Sequence, residues 1–214
     1  MAPYAGHDDP RSQRERMEAG DPYLADDPQL QAMQTRAAGL VQRFNGWPAE
    51  DRAGRDGVLR ELLGSMGEDV GIRPPFFCDY GAYITIGDRT FANFGLIALD
   101  VAPIVIGDDV LIGPNVQLVT PTHPLDPTAR REKWEAAEPI TIGDNAWLGA
   151  GVIVAPGVTI GENTVVGAGS VVTRDLPADV LALGSPARVA RSLLPSQNPR
   201  LAEWREPPTE SRGF

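Results

Sequence analysis

Between Ile86 and Arg188 the chain repeats itself about every six residues, setting a branched apolar residue, mostly followed by Gly, at Ile106, Ile112, Leu118, Ile142, Leu148, Val154, Ile160, Val166 and Val172. Hexads of this kind predict a parallel β-helix, in which a short strand turns a corner after about six residues and three strands complete a coil. Twenty-three Gly and twenty Pro would signal disorder in an aperiodic chain. Here the glycines keep the period, and both residue types suit corners: Gly tolerates positive φ, and Pro needs no ladder hydrogen bond. At 214 residues and 42% hydrophobic, the chain can bury one main core with an appendage.

Four segments are expected. Residues 1–15 are polar and aperiodic and read as a flexible start that includes His7; residues 16–70 form a small α-helical region; residues 71–191 form the β-helix, with a loop insertion at 121–139; residues 192–214 are a tail. Asp27-Pro28 offers an N-cap and a first-turn proline to a helix whose apolar face carries Leu30, Met33, Ala37, Leu40, Val41 and Phe44. A second helix carries Val58, Leu59, Leu62, Leu63 and Met66. Phe76, Phe77 and Tyr80 are expected to cap the open end of the coil, which otherwise exposes unpaired backbone. The register slips by two residues near Asp100, marking a bend or bulge.

A formal charge of −10 argues against nucleic acid as a partner, because phosphate binding draws on clustered Lys and Arg. A single cysteine, Cys78, forms no internal disulfide, and neither a signal peptide nor a membrane-spanning apolar run is visible, so a cytoplasmic protein is expected. A filled β-helix has no central cavity, so chemistry is sought where the repeat is interrupted. His123, the one histidine within the repeat, stands there as either a solvated loop residue or a general base. No metal site is expected, since three histidine ligands cannot be assembled from His123 and His7. Ser170 and Cys78 are weak nucleophile candidates, lacking a nearby base in sequence.

Pro75-Phe76-Phe77-Cys78-Asp79-Tyr80-Gly81, Phe91-Ala92-Asn93-Phe94, Leu99-Asp100, Thr122-His123-Pro124-Leu125-Asp126-Pro127, Asn145-Ala146-Trp147-Leu148-Gly149 and Gly167-Ala168-Gly169-Ser170 occur in this order. Together with the hexads they resemble the sugar O-acetyltransferases that include maltose acetyltransferase, thiogalactoside transacetylase and the nodulation sugar acetyltransferase, over about Arg16 to Arg191. The resemblance implies a mainly β fold, a left-handed parallel β-helix with a helical head, assembled as a homotrimer. Acetyl-CoA would be a co-substrate lying between subunits, and a sugar or glycoside hydroxyl would be the acceptor. It also implies that His123 is the catalytic base, that Asn93 holds the acceptor hydroxyl, and that the backbone N–H of Ala150 stabilises the oxyanion. Asp27 (or its neighbour Asp26), Phe91 and Asp100 would line the acceptor pocket. Trp147, Gly149, Ala150, Ala168, Thr173, Arg174, Arg188 and Arg191 would bind acetyl-CoA, the arginines near its phosphates. Trp147 as a plain corner residue and each Arg as plain surface remain open readings. Phe91 replaces a Tyr of some relatives, and Gly95 a polar side chain, so the acceptor side departs from the family pattern. The same chemistry on an antibiotic or other natural product, and a noncatalytic scaffold, are the competing functions.

Overall fold

The computed structural model describes residues 9–194. Its body is a three-faced parallel β-helix. The first face stacks Ser65–Met66, Ile84–Ile86, Ile104–Ile106, Ile140–Ile142 and Thr159–Ile160. The second stacks Gly71–Ile72, Phe91–Ala92, Leu111–Ile112, Trp147–Leu148, Val165–Val166 and Val180–Gly184. The third stacks Phe76–Cys78, Leu96–Leu99, Gln117–Val119, Ile153–Val154 and Val171–Val172.

The hexad residues are the inward ladder. Ile86, Ile106, Ile142 and Ile160 pair in register on the first face, Ala92, Ile112, Leu148 and Val166 on the second, and Ala98, Leu118, Val154 and Val172 on the third. All are buried, because side chains alternate across each short strand and the outward neighbour meets solvent. The expected slip is real. Ile86 pairs directly with Ile106, so the two additional residues bulge at the corner after Leu99.

The glycines differ in detail from the expectation. At the corner leaving the first face, positive φ is taken by Arg89, Asp109, Asn145, Asn163 and Asp179, at 55–57°. At the first four of these corners a Gly two residues earlier is needed for clearance: a Cβ on Gly143 would lie 2.6 Å from the backbone N of Glu162 in the next coil. Asn145 Nδ2 donates to Asn163 Oδ1, and Asn163 Nδ2 to Asp179 Oδ1, which ties successive corners together. Gly143→Ala should therefore force two coils apart and destabilise the fold by roughly 2–4 kcal/mol, read as a loss of chemical-denaturation midpoint.

The helical head begins earlier than expected. Helix α1 (Gln13–Glu18) starts inside the segment read as flexible, held by a capping box between Ser12 and Glu15. Helices α2 (Pro28–Asn45) and α3 (Arg52–Leu62) pack on each other and close the first coil. Phe44 meets Phe76 edge-on, and the Asn45 side chain both accepts from Phe76 N–H and donates to its carbonyl. Of the three aromatic residues expected as a cap only Phe76 belongs to it: Phe77 points outward, and Tyr80 joins a separate cluster with Met17, Tyr23 and Leu30. At the other end Val180–Gly184 folds back antiparallel on Ala187–Ser192 in a hairpin. His7 and most of the expected tail lie outside the described residues, within which no helix is long and apolar enough to cross a membrane.

Candidate active site

The insertion after Leu118 is itself ordered. Pro121–Thr122 leads to His123, Asp126 caps the short helix α4 (Pro127–Arg131), and Trp134–Ala137 returns antiparallel to Pro121–Thr122. On its other edge Trp134–Ala137 pairs with Tyr23–Leu24 from the head, so the loop is clamped from both sides. This small sheet presents His123 with its side chain 59% exposed. Behind it, Glu135 Oε1 lies 3.7 Å from Nδ1, and Glu135 Oε2 accepts a 2.7 Å hydrogen bond from the buried Tyr23 hydroxyl. A carboxylate on the Nδ1 side favours a proton there, which leaves Nε2 as the basic nitrogen. The aperiodic insertion gave no sequence signal for Glu135 or Tyr23.

A second cleft opens at the corner between the second and third faces. It is lined by Asn93, Trp147, Gly149, Ala150, Gly167 and Ala168, with Gly113 and Pro114 between. Asn93 Oδ1 accepts from Phe94 N–H at 2.8 Å, which turns its amide group toward the cleft. Gly149 N–H donates to Val166 and Gly151 N–H to Pro114, whereas the Ala150 N–H has no acceptor among the described residues. Trp147 and Leu111 are about half exposed beside this cleft, an apolar stripe unusual for a rung that contacts nothing.

The cleft at His123, lined by Pro22, Thr122, Pro124, Leu125, Glu135 and Ala136, shares no residue with the Asn93 cleft. Asn93 precedes the strand of the third face and His123 follows it one coil later, so they flank opposite edges of that face. A strand of that length separates them by about 10 Å or more. A single chain therefore does not bring His123 to Asn93. Arg174 and Arg188 share a third cavity at the far end of the stack, with Thr173 beside it, while Arg191 lies on the outer hairpin strand opposite Leu181.

Two acceptor-side candidates have partners within the fold. Asp100 is fully buried at the bulge, where its carboxylate accepts from the backbone N–H groups of Asp79, Tyr80 and Tyr83 at 2.8–3.2 Å. It has no surface left for an acceptor and instead builds the bend. Asp27 is the N-cap of α2: its Oδ1 accepts from the N–H groups of Gln29 and Leu30, which fixes the carboxylate at the start of the helix. Phe91 is half-buried and carries the Arg73 guanidinium over its ring. The weak nucleophile candidates also have structural surroundings. Ser170 is buried and accepts from Gly184 N–H, and burial keeps the Cys78 thiol protonated well above its ordinary range.

Asp79 adjoins Asp100, to whose carboxylate its backbone N–H donates. Burial, reinforced by the charges of Asp100 and Glu135, raises its pKa from 3.8 to about 6. The folded chain then holds more protons than the unfolded one between those values, so this group makes stability fall as pH rises from about 4 to 6. Asp79→Asn should remove that slope and stabilise the protein above pH 6 by on the order of 2 kcal/mol, read from thermal melts across the window.

Residues 16–67 match the family described as the maltose acetyltransferase hexapeptide capping motif, and residues 139–174 match the bacterial transferase hexapeptide, six repeats. The chain is 48% identical over 179 residues to nodulation protein L of Rhizobium meliloti, covering 84% of this chain and 98% of that protein. It belongs to the hexapeptide-repeat sugar O-acetyltransferases. A maltose O-acetyltransferase from Clostridium difficile 630 has the same fold, with a TM-score of 0.84 and 42% identity over 86% of this chain and 98% of that one. A hexapeptide-repeat acetyltransferase from Vibrio cholerae O1 biovar eltor, solved in complex with acetyl coenzyme A, gives a TM-score of 0.79 at 42% identity over 86% and 99%. In this O-acetyltransferase the capping motif spans the second half of α1 and all of α2 and α3, the region that closes the first coil and clamps the His123 loop.

Proposed function

We infer that this acetyltransferase moves the acetyl group of acetyl-CoA directly to a hydroxyl of a sugar or glycoside, in a site completed between neighbouring copies. The observation that carries the reading is the exposed His123 imidazole backed by Glu135, on a chain whose Asn93 cleft lies at the opposite edge of the same face. Both halves have an open side, and a head-to-tail ring presents the His123 loop of one copy to the Asn93 cleft of the next. The family resemblance supports a ring of three.

A thioester is already activated, so catalysis needs a base, alignment and oxyanion donors. His123 Nε2 takes the acceptor proton as the hydroxyl oxygen attacks the thioester carbon. The carbonyl electrons move to oxygen, and the unpartnered N–H of Ala150 donates a hydrogen bond to that oxyanion. On collapse the C–S bond breaks, and the proton held by His123 passes to the departing CoA thiolate. Asn93 holds the acceptor hydroxyl through its free amide. Trp147, Gly149 and Ala168 would seat the pantetheine arm, and Arg174 and Arg188, with Thr173 and Arg191 nearby, the phosphates.

The test is an acceptor screen with labelled acetyl-CoA, joined to a mass measurement. Neutral mono- and disaccharides should be acetylated on oxygen, and light scattering should give three times the 22.9 kDa chain. Acetylation of natural-product alcohols with no turnover of any sugar would move the function to the competing acceptor class.

A further inference from the structure

One cavity is used by none of these steps. It lies where α3 meets the first coil, lined by Arg52, Arg55 and Arg73 with Asp56, Asp69 and Phe91. Three guanidinium groups face two carboxylates there, a local excess of positive charge on a chain of net charge −10. Asp56 is engaged by Arg52 at 3.5 Å. The Nε of Arg55 is buried without any hydrogen-bond partner, and a buried donor left unpaired is costly unless something accepts from it. Arg73 is held by its flat face, its guanidinium carbon 5.4 Å from the ring centre of Phe91 and 5.0 Å from that of Phe94, which leaves the N–H edge free to bind.

The position within the coil says what these donors meet. Arg73 N–H donates to Ala92 O, so Arg73 stands one rung from Asn93 at the same corner, about 5 Å along the stack. The cleft that would seat the donor runs from Asn93 the other way, through Trp147 and Ala168 toward the C-terminal end. A ligand reaching Arg73 and Arg55 therefore enters from the acceptor side. We propose that Arg55 and Arg73 form an anion subsite for the acceptor, selecting sugars that carry a carboxylate or phosphate close to the hydroxyl being acetylated. The subsite rests on the reading of the Asn93 cleft as the acceptor site.

Calorimetric titration of the full chain, saturated with CoA, separates the two ideas. The probes are methyl glucoside, methyl glucuronide and glucose 6-phosphate, the last two distinguishing a carboxylate from a phosphate. At least one anionic sugar should bind roughly tenfold or more tightly than methyl glucoside. Arg55→Gln and Arg73→Gln should each erase most of that preference, and added salt should weaken it. Arg73 is exposed, so its variant stays informative should Arg55→Gln fail to fold. Equal binding of neutral and charged sugars, no binding of either charged sugar, survival of the preference in the folded variants, or loss of acetyl-CoA affinity in its place would each overturn the subsite. Acetyl transfer to methyl glucoside, assayed in parallel, reports on sugar acetylation itself and does not depend on these arginines being an anion site.

Discussion

His123→Ala is expected to lower turnover by about 10²- to 10⁴-fold while leaving acetyl-CoA affinity and assembly close to those of the parent protein. The side chain is more than half exposed and donates no hydrogen bond that the fold needs, so its removal costs chemistry and little stability. Glu135→Gln should cost less, about 10- to 100-fold, because the imidazole remains and only the carboxylate behind Nδ1 is lost. Single-turnover rates with bound acetyl-CoA separate these losses from binding. A His123→Ala protein with near-full turnover would remove the histidine from the mechanism and leave Asn93 and the Ala150 N–H as positioning groups only.

Much of the fold was legible because the β-helix writes its geometry into a strict period. Each apolar hexad residue from Ile86 to Val172 found its rung, and even the two-residue slip near Asp100 is a true bulge. The meaning of individual residues was less legible. Gly143 looks like a turn glycine, yet clearance from the next coil decides it, while Asn145 carries the positive φ. Asp100 reads as a site carboxylate through the family pattern, but the bulge leaves three backbone N–H groups that need an acceptor. The site splits in the same way. His123 stood out as the sole histidine of the repeat, and Asn93, Trp147 and Ala150 came with the family pattern. Glu135 and Tyr23 did not, because their pairing spans 112 residues and arises from a small antiparallel sheet between head and insertion, which no local period encodes.

The second large effect concerns the separation of the two half-sites. If one copy supplies His123 and its neighbour supplies Asn93, then His123→Ala and Asn93→Ala are each nearly inactive alone, yet complementary in a mixed ring. Random reassembly from equal amounts leaves about a quarter of the interfaces with both native residues. The decisive measurement is therefore the activity of the two variants unfolded together, refolded, and compared with each variant refolded alone. Recovery of about a quarter of the activity of identically refolded parent protein is the predicted result. If mixed rings form, as mass spectrometry can verify, and activity stays at the level of the single variants, both groups act within one chain and a site shared between subunits is contradicted.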